Sequence, residues 1–147
     1  MYQNGIGVDQ SDTEAFQWYQ KAADQGYTPA QYRLGTMYAK GLGTRQNNKK
    51  AAKWFRNAAD KGFTEAQYDL GLMYEKGQGV AQDSIWAYTW LSLAAAELVS
   101  SQNDLDRLKL SMNEKQISEA ETRITDWRLT NSHKMHKKHK LEFRGYA

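Results

Sequence analysis

Paired glycines recur along this chain at a fixed step: Gly5 and Gly7, Gly41 and Gly43, Gly77 and Gly79, each 36 positions from the last. The same step links Tyr2, Tyr38 and Tyr74, then Trp18, Trp54 and Trp90, then Ala22, Ala58 and Ala94. Residues 29–64 match residues 65–100 at 15 of 36 positions, and 1–28 match 37–64 at 12 of 28. A period of this length restricts the chain to stacked supersecondary units. Each unit must bury its apolar surface on its neighbours rather than in one closed core.

Each unit reads as two antiparallel helices. Ala30, Leu34, Met37 and Tyr38 keep helical spacing, and Gly41 stands where a helix end needs a left-handed residue. Gly41-Leu42-Gly43 then offers two permissive backbone positions for a sharp reversal. Ala51, Trp54, Phe55, Ala58 and Ala59 form one apolar stripe on the second helix, with Asn47 or Asn48 expected as its N-cap. Gly26-Tyr27 and Gly62-Phe63 fit Schellman ends. Gly35 and Gly71 fall mid-helix, where Gly costs about 1 kcal/mol against Ala. Their recurrence predicts close helix approach, with Ala51 and Ala58 as opposing small surfaces.

The set Ala30, Leu34, Gly35, Tyr38, Gly41, Gly43, Ala51, Trp54, Phe55, Ala58, Ala59 and Gly62 closely resembles the Sel-1-like repeat (SLR) family, relatives of the tetratricopeptide repeats. The pattern returns from Ala66 to Ala95, with Val80 at the family's usual Val, and the resemblance covers about residues 1–97. It implies an all-α fold, a right-handed α/α superhelical solenoid that scaffolds or adapts protein complexes. Many family members are bacterial, and some are exported. The expected organisation is an incomplete repeat at 1–28, repeats at 29–64 and 65–100, capping helices at 101–130 and a basic tail at 131–147. Met1 enters at the end of a first helix. Phe16, Trp18 and Tyr19 are therefore expected to be partly uncovered, an edge that favours self-association.

The third unit departs from the pattern. Its second helix, from Ile85 to Ala96, is apolar nearly all round and must be covered on two sides. After a break at Ser100-Ser101-Gln102-Asn103, Leu105, Leu108 and Met112 mark one short covering helix. Asn113 with Gln116 has the spacing to cap a second, on which Ile117, Ala120, Ile124 and Trp127 share a face. The opposite face is polar throughout, as a soluble solenoid end requires.

Composition narrows the chemistry. The chain has no Cys, and all three histidines, His133, His136 and His139, lie in the tail. The body therefore has no cysteine nucleophile, no thiolate metal site and no histidine base. The formal charge of +3 also belongs to the tail, where Lys134, Lys137, Lys138, Lys140 and Arg144 face Glu142 alone. The histidines have i, i+3 spacing for a metal, but the interleaved lysines would repel a cation. The same basic stretch can bind phosphate by counterion release, yet five charges without interleaved aromatics make a weak nucleic-acid arm. Asp104 with Asp106 and Glu119 with Glu121 fall on polar helix faces, where carboxylates are ordinarily solvated. Gly41-Leu42-Gly43 and Gly77-Gln78-Gly79 lack the preceding strand of a phosphate loop. No apolar run approaches a membrane span, and Met1-Tyr2-Gln3-Asn4 does not open a signal peptide, so bacterial cytoplasm and periplasm both remain open.

The resulting expectation is a noncatalytic adaptor, without cofactor or metal, that binds a protein partner on its concave first-helix face. By analogy with tetratricopeptide geometry, that face presents Tyr32, Thr36 and Lys40, then Tyr68, Leu72, Glu75 and Lys76. An immunity protein that neutralises a bacterial effector is the narrower alternative. A nucleic-acid-associated protein using the tail is the other.

Overall fold

The left-handed glycines set the helix ends. In the computed structural model, which describes the backbone of residues 10–145 and the side-chain surroundings of residues 11–131, seven helices and no strands are found among the described residues. They are α1 (Gln10–Asp24), α2 (Thr28–Lys40), α3 (Asn48–Asp60), α4 (Thr64–Lys76), α5 (Ser84–Ala95), α6 (Val99–Lys109) and α7 (Glu114–Gly145). Gly41 and Gly77 end α2 and α4 at φ 71° and 70°, returning their N–H groups to the carbonyls of Met37 and Met73. A latch follows in each turn. Asn47 donates its N–H to the Tyr38 carbonyl at 2.8 Å, and Asp83 donates to Tyr74 at 2.9 Å. The same two residues are N-caps, their side chains accepting from the amides of Lys50 and Trp86. Asn47, rather than Asn48, therefore starts the second helix. Phe63 N–H to Ala58 O at 3.1 Å and Gly62 N–H to Ala59 O at 2.9 Å complete a Schellman end on α3.

Consecutive helices pack on one another in series from α1 to α6, with α7 returning onto α5. Ala30, Leu34, Ala51, Ala58, Ala66 and Leu70 are almost wholly buried between them. Two buried glutamines recur as stitches: Gln31 donates its side-chain amide to the Ala23 carbonyl at 3.3 Å, and Gln67 to Ala59 at 3.2 Å. Each fixes a first helix to the helix before it. Gly43 and Gly79 do the same by close approach, lying against the backbone carbonyls of Asp12 and Asn48. With φ of 74° and 76° and backbone that near, neither position admits a side chain.

Gly35 and Gly71 lie at close helix approaches, with one change of partner. A methyl at Gly35 would stand 2.7 Å from the Phe55 ring and 3.3 Å from the Ala51 carbonyl, whereas at Gly71 it would stand 2.8 Å from Leu91 Cγ. The space is therefore filled by the large residues Phe55 and Leu91, with Ala51 contributing backbone. Ala58 is not among the nearest groups.

Ser100 to Asn103 do not break the chain. All four lie in α6, and the gap falls earlier, between Ala95 and Val99. Ser101 is fully buried and donates its hydroxyl to the Leu91 carbonyl at 2.7 Å. Ser101, Leu105 and Leu108 are the buried residues of α6, each 35 positions after Ala66, Leu70 and Met73. Thus α6 repeats the buried pattern of α4 one residue early. Next, Asn113 and Gln116 exchange bonds, each backbone amide donating to the other's side-chain oxygen at 3.0 and 2.8 Å, which starts α7.

The apolar helix α5 is covered by α6 on one side and α7 on another. Trp127 of α7 meets Trp90 edge to face at 6.3 Å, and Arg123 lies 4.4 Å over the Trp86 ring. The tryptophan series consequently grades in burial. Trp90 is 1% exposed, Trp54 is half-buried and Trp18 is 73% exposed. Of the other aromatic residues expected at that edge, Phe16 and Tyr19 are half-buried, Phe16 standing edge to face on Tyr38 at 5.3 Å.

Candidate protein-docking face

Tyrosine hydroxyls join the first helices of successive units. Tyr32 on α2 packs its ring against Phe55 and Phe63, centroids 5.5 and 5.1 Å away, and donates its hydroxyl to Asp69 Oδ2 on α4 at 2.9 Å. Tyr68 on α4 donates to Asp104 Oδ2 on α6 at 2.5 Å. Burial, with the neighbouring Asp69 carboxylate, pushes the Tyr32 hydroxyl up to about 12. The hydrogen bond to Asp104 does the same for Tyr68, also to about 12. Both stay protonated donors at any physiological pH.

The two acceptors differ. Burial raises the Asp69 carboxyl above its ordinary value, and the Tyr32 bond only partly offsets this. Asp104 also feels burial, but the Tyr68 bond and the Arg107 guanidinium outweigh it and hold that carboxyl low. Arg107 donates to both oxygens of Glu75, and to Asp104 Oδ1 at 3.0 Å. These partners raise its own already high pKa.

Between α2 and α4 lies a cleft of about 440 Å³, floored by Phe55, Leu72 and Met73 and bordered by Asn48 and Gln78. That volume suits a bound peptide side chain or two. Tyr32, Thr36, Lys40, Leu72 and Lys76 all line it. Tyr68 and Glu75 do not: they turn to α6, engaged by Asp104 and Arg107. Asp69, Asn48 and Gln78 join the cleft without having been expected from the sequence. Asp69 carries no repeat signal because Arg33 stands 36 positions before it, and its counterpart Asp104 falls 35 after it.

The acidic pairs are divided between separate partners. Asp104 bonds Tyr68 and Arg107, and Asp106 accepts from Gln102 at 2.8 Å. Glu119 pairs with Arg123 at 3.3 Å. No cluster of His, Asp or Glu suited to a metal occurs among the described residues, and the side chains of His133, His136 and His139 lie outside them. No described helix is long and apolar enough to cross a membrane.

Helix pairs stacked at one period, with glycine turns and stitched first helices, define an α/α repeat solenoid. The Sel1 repeat family model matches residues 1–27, 28–63 and 64–97, and the chain belongs to that family. Sel1 repeat proteins generally mediate protein–protein interaction and are typically noncatalytic scaffolds. Among solved structures, the fold is similar to c5321, a protective antigen of uropathogenic Escherichia coli with an SLR fold. The TM-score is 0.80 at 27% identity, over 91% of this chain and 30% of that one. It is also similar to a Sel1 repeat protein from Oxalobacter formigenes, with TM-score 0.63 and 35% identity over 69% of this chain and 42% of that one. The chain thus spans less than half the length of either bacterial protein. A search of curated proteins found no match.

Proposed function

We propose that this chain is a noncatalytic adaptor that docks a protein partner on its first-helix face, centred on the cleft between α2 and α4. The observation that supports this is the cleft itself. It combines an apolar floor at Phe55, Leu72 and Met73 with exposed ammonium groups at Lys40 and Lys76, on helices held in register by Tyr32 and Asp69. An apolar centre with a polar rim is the usual composition of a protein interface. The aspartates nearest to it are engaged by tyrosine and arginine, which is work of packing rather than of proton transfer.

Site-specific photo-crosslinking tests this reading. A photoreactive residue at Thr36 should capture a discrete partner in cells, and the same group at exposed Val99 should not. Equal capture at both positions would refute the docking face. Turnover of a substrate by the purified chain, lost on substitution of Asp69 or Asp104, would refute the noncatalytic role.

A further inference from the structure

We propose that the cleft between α2 and α4 takes an acidic peptide segment, with a carboxylate side chain held between Lys40 and Lys76 and an adjacent apolar side chain on Leu72 and Met73. The inference rests on the docking face proposed above and names the partner's chemistry.

The argument is an inventory of the polar groups around the cleft. The Tyr32 hydroxyl is committed to Asp69, and Thr36 donates its own hydroxyl to the Tyr32 carbonyl at 3.3 Å. Asn48 Oδ1 accepts from Gln46 Nε2 at 2.7 Å, so the oxygen of that side chain is engaged within the chain. Neither Lys40 nor Lys76 has a carboxylate within 4 Å among the described residues. The groups left over are the ammonium groups of Lys40 and Lys76 and the side-chain amides of Asn48 and Gln78, a set in which N–H donors outnumber acceptors. The one carboxylate in the lining, Asp69, already accepts from Tyr32 and is acted on by Lys40 only from beyond ion-pair distance, so the lining sets two ammonium groups against one carboxylate. A donor surplus over an apolar floor complements a ligand that brings acceptors and negative charge beside hydrocarbon. A nucleic-acid backbone fits less well. It needs a dense run of cations and gains little from Leu72 and Met73.

Selection from a displayed random peptide library on the full chain tests this, with enriched peptides resynthesised for fluorescence anisotropy. The expected result is enrichment of Asp or Glu next to Leu, Ile or Phe. Replacing the acidic residue by its amide should weaken binding about tenfold, as loss of two exposed ion pairs would. The variant K40Q/K76Q, altered only at exposed side chains, should show the same loss with unchanged circular dichroism. A labelled single-stranded oligonucleotide serves as competitor. Peptides without acidic enrichment, equal affinity of acid and amide forms, or full binding by K40Q/K76Q would each overturn the proposal. So would displacement of the peptide by the oligonucleotide at lower concentration. If these fail while Thr36 crosslinking still captures a partner, the docking face stands and only its acidic preference falls.

Discussion

The hydroxyl of Tyr32 on α2 reaches Asp69 on α4 at 2.9 Å, and the equivalent hydroxyl of Tyr68 reaches Asp104 on α6 at 2.5 Å. These bonds tie first helix to first helix across adjoining units, and the cleft at Lys40 and Lys76 is bounded by the first of them. Removing one donor should therefore loosen a junction. Tyr32→Phe leaves a partly buried carboxylate without its donor and should cost about 1–3 kcal/mol. Tyr68→Phe should cost less, because Asp104 keeps Arg107. Urea denaturation of the two variants checks the order, and a larger loss for Tyr68→Phe would contradict it.

The same two carboxylates should respond to acid in opposite senses. Asp69 is held above its ordinary 3.8, so the folded chain binds its proton more readily than the unfolded chain does. Wild type should gain stability relative to Asp69→Asn as pH falls through the interval between the raised value and 3.8. Asp104 is held below 3.8, so its contribution is present above that value and is lost as pH falls beneath it. Wild type should then lose stability relative to Asp104→Asn, by a modest amount because this pair faces solvent. Denaturation profiles from pH 3 to 7, a range set by ordinary carboxylate values of about 4, should diverge in these directions. Parallel curves would show that the environments are not distinct.

Gly35→Ala and Gly71→Ala test helix propensity against packing. Alanine favours a helix interior by about 1 kcal/mol over glycine. Here the added methyl meets Phe55 at 2.7 Å or Leu91 at 2.8 Å, and overpacking of that kind costs about 1–3 kcal/mol. Both variants should be destabilised in thermal melts. A rise in Tm would mean that the helices separate freely.

Three tryptophans at one repeat position should contribute unequally. Trp90→Ala should cost about 3–5 kcal/mol, as for a buried ring. Trp54→Ala should fall between, and Trp18→Ala should stay within about 0.5 kcal/mol, as an exposed substitution does. Emission spectra give a second readout: losing Trp127, which stands on Trp90 at 6.3 Å, should shift Trp90 emission to the red. Equal costs for all three would mean that α7 does not cover α5 in solution.

Ser101 separates a helix position from a break. Ser101→Ala should cost about 1 kcal/mol through the lost bond to Leu91. Ser101→Val should cost more, since a fully buried site has no room for the branch. Tolerance of valine, seen as an unchanged urea midpoint, would place the residue in a turn after all.

Local chemistry made much of this legible in the sequence. Gly41 and Gly77, Asn47 before Lys50, and the Asn113–Gln116 exchange each act within a few residues, so their spacing is their geometry. The period likewise exposed the Gly, Tyr, Trp and Ala positions that keep step, although Gln31 and Gln67 also keep step and their bonds to the preceding helix were not read from it. Other features escaped because they had lost step or had changed residue type. Ser101 stands for an alanine and arrives one residue early, so its helix read as a polar break. Asp69 has arginine at its earlier counterpart, which hid the tyrosine's acceptor. The partner of Gly35 was misplaced for a third reason, since a small residue announces close approach without saying which side chain fills the gap. For the site, the analogy with tetratricopeptide geometry gathered Tyr32, Thr36, Lys40, Leu72 and Lys76, but could not tell that Tyr68 and Glu75 turn towards α6.

The junction between units is built from interchangeable pieces: Gly43 on Asp12 and Gly79 on Asn48, Gln31 on Ala23 and Gln67 on Ala59. Each piece recurs at the same offset, so a further unit duplicated between α3 and α4 would meet matching surfaces above and below. Duplication beyond α5 would not, because Trp127 already occupies the face of Trp90. Lengthening by recombination is therefore open in the interior of this array and closed at its α7 end.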